Sequence, residues 1–440
     1  MSMSLFRSTS ESAPSATSAE AGVQRTSEIL GEAVMDSVSS VRDSLPKEHR
    51  AHFETLRQEI IDFTKAHGIS KDTLSKPDLL REVTYKLSTS DLERLANLLE
   101  RFEYLLIHKE PKEITDPLEY VEEFYQLEKQ YNFQVELLEQ VGILKEGAIL
   151  GIDGNIYPIP TLEQIASRIF ERRETLETKY DQGFTKLLLV PFGMSLDALR
   201  ETFKQFLIKY KKSHSSFDLD ISDPFCTWST YQGADIGDFP ALVYYPQFFA
   251  WEGHGGKTKA QMLEEQVKGR WAPASAGVEV EKELGTPGWT VHLLQPSNLD
   301  DQDMETPIGF SPIPRQGKGT PQGKLTSRPP LEAGQSPSEY LSILQKARED
   351  EDSPYHGETG MTPEDWITAF MIHLSETGQP LDDYLNGTES ISYLTGAFFR
   401  WSSVDVPCIY WYCNNRQANL IWSTPRNREV NIGSRFSVVI

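Results

Sequence analysis

Three cysteines in 440 residues, Cys226, Cys408 and Cys413, are too few for a disulfide framework, and their spacing matches no zinc pattern. Long apolar runs are missing too. None approaches the roughly 20 residues that cross a bilayer, so no membrane span is expected. Basic charge is scarce: 43 Lys and Arg stand against 65 Asp and Glu, a formal net charge of -22. That balance argues against a nucleic-acid-coating protein, which needs a basic face to release counterions. The nine histidines are scattered singly, without H-E-x-x-H or a carboxylate-histidine cluster of ligand spacing, so neither a metal site nor a cofactor is expected. The start, M-S-M-S-L-F-R, lacks a charged region followed by an apolar core, and a signal peptide is not expected. A cytoplasmic chain is the default, with export by a leaderless route left open.

The chain is long enough for two or three domains, each burying its own core. Residues 1–45 are rich in Ser, Ala, Glu and Thr and read as a disordered tail. From 46 to 145 the apolar period is helical. Phe53, Leu56, Ile60 and Phe63 form one stripe; Leu92, Leu95, Leu99, Phe102 and Leu106 form another. A third helix starts at Asp116-Pro117 and carries Val121, Phe124, Leu127, Tyr131, Val135 and Leu138. This predicts a helical bundle or coiled-coil module, the place where a homo-oligomer would form. Residues 146–212 alternate strand and helix patterns: a turn at Asp153-Gly154, a capping box at Thr161 and Gln164, and a buried strand at 186–190. Residues 213–440 hold several short strands and two capped helices beginning at Ser336 and Thr362. The fold class expected is α+β, helical at the N-terminus and mixed beyond it.

The most informative stretch is Cys408–Ser423, C-I-Y-W-Y-C-N-N-R-Q-A-N-L-I-W-S. Two alternating runs flank Asn414-Asn415, a pair that tolerates the positive φ of a two-residue hairpin turn. Pairing outward sets Cys413 opposite Arg416, Tyr412 opposite Gln417, Trp411 opposite Ala418, Tyr410 opposite Asn419 and Ile409 opposite Leu420. Side chains alternate with period two. Ile409, Trp411, Ala418, Leu420 and Trp422 therefore share an apolar face. Cys408, Tyr410, Tyr412, Gln417, Asn419, Ile421 and Ser423 share the other, a mixture of the kind antibody paratopes favour. The arginines Arg400, Arg416, Arg426, Arg428 and Arg435 make this end locally basic.

Of catalytic look-alikes the strongest is E-G-H-G-G-K-T, Glu252–Thr258, which follows a strand and precedes a helix. A phosphate loop needs glycine where Trp251 stands, so the spacing fails. A nucleotide- or phosphate-binding protein, or an enzyme, centred on the Gly-rich loop 253–258 is the alternative reading. His254 lacks a recognisable nucleophile beside it, so no enzyme is expected.

The order of a capped helix, then S-Y-L-T-G-A-F-F, V-P-C-I-Y-W-Y-C-N-N-R-Q-A-N-L-I-W, a P-R-N-R turn and a closing G-S-R-F resembles the variable proteins of diversity-generating retroelements. The resemblance covers about residues 360–440. It implies a C-terminal C-type-lectin-like domain of the formylglycine-generating-enzyme type, spanning 213–440 here. Its variable segment, about 405–435, would be diversified through adenines of Asn codons. Carried over, the ligand-binding face is Tyr410, Tyr412, Cys413, Asn414, Asn415, Asn419, Ile421, Ser423, Thr424, Asn427 and Asn431. The fixed scaffold is Trp411, Arg416, Leu420, Trp422, Pro425, Gly433 and Arg435. Gln417 departs from the pattern, since a Gln codon is not reached from an Asn codon through adenines alone. The implied partner is a protein or other macromolecule, not a nucleic acid.

Overall fold

The computed structural model describes residues 42–70, 87, 89–110, 114–268, 286–298, 306–315, 328–384, 390–400 and 404–440. The expected tail, residues 1–45, lies outside them except at its last four positions. The chain is mixed α+β and divides into two compact units, Met1–Ile114 and Thr115–Ile440. In the first, helices α1 (Arg50–Ala66) and α2 (Thr89–His108) press their apolar stripes together. Phe53, Leu56, Ile60 and Phe63 are buried against Leu95, Leu99 and Phe102, and the Phe53 and Phe102 rings stack at 5.2 Å.

The second unit runs α3 (Pro117–Tyr125), α4 (Leu127–Gln140), β1 (Ala148–Leu150), β2 (Ile156–Pro158), α5 (Leu162–Glu171), α6 (Arg173–Asp181), β3 (Lys186–Val190), α7 (Leu196–Ser213), β4 (Phe225–Thr227) and β5 (Leu242–Tyr244). It continues α8 (Lys259–Val267), β6 (Thr290–Leu294), α9 (Pro337–Arg348), β7 (Glu358–Gly360), α10 (Pro363–Thr377), β8 (Ile391–Tyr393), β9 (Ala397–Arg400), β10 (Val404–Tyr412), β11 (Gln417–Ser423), β12 (Ile432–Ser434) and β13 (Phe436–Val439). The capping boxes expected at Thr161, Ser336 and Thr362 are formed. Each satisfies amides that the first turn of a helix leaves unpaired.

The third helix expected in the N-terminal module belongs instead to this second unit. It is broken at Gln126, whose backbone is left-handed at φ 49. Val121, Tyr125, Leu127 and Leu138 join the core built by Ile165, Leu187 and Phe203. Two buried glutamines, invisible to an apolar stripe, fix it there. Gln134 accepts from Leu189 N (2.9 Å) and donates to Leu187 O (2.7 Å). Gln130 accepts from Leu187 N (2.8 Å) and donates to Thr185 O (3.1 Å). One helical turn apart, they hydrogen-bond the backbone along an edge of β3 as a neighbouring strand would.

The boundary expected at 212 is likewise bridged. A four-stranded sheet runs β3-β6-β13-β7, and β3 pairs with β6 from Lys186↔Leu294 to Val190↔Thr290. A second sheet runs β12-β8-β10-β11-β4, with β9 joining β10 to β5. Helix α10 packs against α7, β3 and β10. It is buried on every side from Pro363 to Leu374, as a helix at the centre of a core must be. The two sheets thus share one core.

Candidate functional site: the outer face of the C-terminal hairpin

Strands β10 and β11 pair from Val406↔Ser423 to Tyr412↔Gln417, the register expected from the alternation. The turn differs. Four residues, Cys413–Arg416, close it, and the left-handed residue is Arg416 at φ 58 rather than either asparagine. The Arg416 amide donates to Tyr412 O (2.8 Å), an i to i+4 closure that a two-residue turn could not make.

The inner face is core. Ile409, Ala418 and Leu420 are wholly buried and Trp411 is 3% exposed. The Trp411 indole lies 5.2 Å from the Phe217 ring and 5.8 Å from that of Phe370 on α10. Beside it, buried Asp382 ties several segments together. Its carboxylate accepts a bidentate bond from Arg435 (2.6 and 3.0 Å) and one from Trp366 Nε1 (2.7 Å). Its carbonyl accepts from Trp411 N (3.0 Å). Charge-assisted forked bonds of this kind hold geometry as well as charge. Gly433 has no room for a side chain, since a Cβ would sit 2.4 Å from Ile313. Pro425 accepts from the Ser338 amide at the start of α9 (3.0 Å). Trp422 is half-buried edge-on to Trp228 at 4.9 Å. Arg416 departs from the scaffold expectation: its backbone shapes the turn, while its side chain is exposed, 3.5 Å from Asp218.

The expected ligand-binding residues fall into two groups. At the turn end, Tyr410 and Tyr412 lie edge-to-face at 5.9 Å, and Tyr384 packs on both. Asn414 and Asn415 are exposed at the tip, with Asn414 Nδ2 3.4 Å from the Tyr412 hydroxyl. Cys413, half-buried, points its thiol at Tyr384 O (3.3 Å). Asn419 belongs to this face but is buried. It exchanges hydrogen bonds with Gln417 (3.3 and 3.4 Å) beside Cys226 on β4. The second group lies beyond the middle of the ribbon. Ile421 packs against the small cluster of Cys408, Tyr393 and Tyr340. Ser423 accepts from Asn427 Nδ2 (2.9 Å), and Asn431 accepts from Arg315 (2.6 Å). Thr424 is exposed. Full exposure on the outer face is therefore confined to the tip asparagines and Thr424; Tyr410, Tyr412, Ile421 and Ser423 are half-buried, and Gln417 and Asn419 are buried.

Burial raises the Tyr410 phenol above its usual range, with Tyr412 adding to it. Cys413 is raised by burial and by Asp383, so its thiol has none of the electropositive setting a reactive thiolate requires. Among the described residues no group of His, Cys, Asp and Glu could hold a metal ion.

In the Gly-rich loop 253–258 three backbone amides are engaged within the protein. The Gly256 amide donates to His254 Nδ1 (3.0 Å), the Lys257 amide to Tyr244 O (3.0 Å) and the Thr258 amide to Gln261 (2.9 Å). Lys257 is ion-paired with Glu265. A phosphate would need those amides free.

Sequence reasoning missed Tyr384, Cys226, Trp228 and Asp382. Cys226 and Trp228 lie in the F-C-T-W-S-T-Y run read as a strand, but nothing local in it points to the ribbon; all four reach it through long-range packing. Comparison with family models, with characterised proteins and with solved structures finds no match. Among the described residues no helix is long and apolar enough to cross a membrane.

Proposed function

We propose that the Thr115–Ile440 unit is a ligand-binding domain of the C-type-lectin-like kind, akin to the variable proteins of diversity-generating retroelements. The turn end of β10–β11 is its recognition surface for a protein or another macromolecule. One observation carries this reading. Tyr384, Tyr410 and Tyr412 cluster beside exposed Asn414 and Asn415 on a ribbon whose reverse side is locked into the core by Trp411 and Leu420. Tyrosines supply contact area at low entropic cost, and the amides adapt their hydrogen bonds to the partner. A rigid reverse side keeps the cost of ordering the site small. Recognition of this kind needs no reaction and no cofactor.

The flanking DNA tests it. The expected finding is a near-copy of the 3′ end of the reading frame beside a reverse transcriptase gene. The copy would differ mainly at adenines in the codons for Tyr410, Tyr412, Cys413, Asn414 and Asn415, and would be invariant at Trp411, Leu420 and Arg435. A locus without such a copy sinks the retroelement reading.

A further inference from the structure

Lys259, the first residue of α8, is fully buried, and so are Asp235 and Glu364 around it. Its Nζ lies 2.6 Å from Asp235 Oδ2 and 2.8 Å from Glu364 Oε1. The rings of Phe192 and Tyr244 lie 5.2 and 5.6 Å away. The Leu196 amide donates to Asp235 Oδ2 (2.8 Å), the Tyr244 hydroxyl to Glu364 Oε1 (2.7 Å), and Lys259 Nζ to Met194 O (2.7 Å). Two oxygens, Asp235 Oδ1 and Glu364 Oε2, are buried with no hydrogen-bond partner. Burying one ammonium and two carboxyl groups with acceptors unmet is costly, and a buried ion pair seldom returns that cost. Condensing amine and carboxyl into an amide would remove both charges at once.

We infer that Lys259 and Asp235 are joined by an intramolecular isopeptide bond, formed spontaneously after folding with Glu364 as the proton relay. The 2.6 Å contact puts the carbon behind that oxygen at roughly the 3 to 3.5 Å of a near-attack arrangement. One ammonium proton passes from Nζ to Asp235, leaving a neutral amine beside a neutral carboxylic acid. Desolvation disfavours the ammonium, but Asp235 and Glu364 together hold the Lys259 amine above its usual range, so this transfer is the uphill step of the sequence. Nζ then attacks Cγ and the N–C bond forms. The Leu196 amide holds Oδ2, the leaving oxygen, in place, while charge develops on Oδ1. Glu364 takes a proton from Nζ and returns its own to Oδ2, which already carries the first; the Cγ–Oδ2 bond breaks, Oδ2 leaves as water, and Oδ1 becomes the amide oxygen. The product is one amide; no oxidant, cofactor or activated phosphate is consumed. Burial holds Glu364 above the usual carboxylate range, which suits a group that must begin the step protonated and end it so. The bond would staple the loop at 235 to the head of α8 and, through the Glu364 contact, hold both against α10 in the core beneath the ribbon.

Denaturing intact-mass measurement of the full chain, followed by peptide mapping, tests the bond. The wild-type protein is expected to be lighter than its sequence by one water and to yield a branched peptide joining Lys259 to Asp235. Glu364→Gln, isosteric but unable to relay the proton, is expected to return the full mass with unchanged far-ultraviolet circular dichroism. A wild-type chain at full mass overturns the inference, as does a branch from Lys259 to any other residue. A Glu364→Gln protein that is still one water lighter removes Glu364 from the chemistry.

Discussion

The two faces of the β10–β11 ribbon are written in the same alternating sequence, yet they do opposite work. Inward, Ile409, Trp411, Ala418 and Leu420 interdigitate with α10 and Phe217 and leave no freedom. Outward, the rings of Tyr410 and Tyr412 pack on each other and on Tyr384, and Asn414 and Asn415 are exposed at the tip. Side chains on one face can change only if those on the other cannot. A ribbon fixed on one side offers its free side as a place where composition is decoupled from stability. At the far end Ile421, Asn427 and Asn431 are engaged, and the exposed tip at Asn414 and Asn415 is where such decoupling is to be tested.

The contrast can be broken most sharply from the inner side. Trp411→Ala should cost about 3 to 5 kcal/mol, the range for emptying an aromatic core position, and urea unfolding should show it. A loss below about 1 kcal/mol would mean that the inner face is not locked and the contrast is false. Asp382→Ala should cost a similar amount, about 3 to 5 kcal/mol, because it strands the buried Arg435 guanidinium and the Trp366 N–H. Its melting curve should fall with that of Trp411→Ala and not with those of outer-face variants.

Acid separates the same two sides. His373, on α10 in the core, accepts from the Phe310 amide (2.9 Å). Its imidazole is pushed down to about 3, by burial first and then by Arg435 and Lys186. A histidine depressed in the folded state contributes stability that is complete above its unfolded pKa near 6.5 and lost as pH falls below it. Between pH 7 and pH 5 the loss should be about 2 kcal/mol, and His373→Met should flatten that slope. An unchanged slope would move the acid sensitivity elsewhere. The smallest effect belongs to the tip, where the double substitution Asn414→Ala and Asn415→Ala should stay within about 0.5 kcal/mol of the parent in urea. A larger cost would make the tip structural.

Much of the ribbon was legible because a period of two leaves a single register that buries Ile409 with Leu420 and Trp411 with Ala418. The turn was read less well. Asn-Asn tolerates positive φ, but the longer closure places that demand on Arg416, where side-chain chemistry gives no cue. Caps at Thr161, Ser336 and Thr362 were legible for being local. The polar core was not. Gln130 and Gln134 are buried by their bonds to β3, and Asp382 meets an arginine 53 residues on. Lys259 meets Glu364, more than a hundred residues away. In sequence such groups look like any solvated charge, and only the topology brings them together.

The most direct test of a recognition surface on a fixed scaffold is a saturation library at Tyr410, Tyr412, Asn414 and Asn415. It would be displayed on cells, sorted first for protease-resistant folding and then for binding to a panel of immobilised proteins. Most variants are expected to pass the first sort, and the second to return binders whose tip sequences differ from one target protein to the next. A first sort that keeps only the parental tyrosines would contradict it, placing Tyr410 and Tyr412 in the core with Trp411.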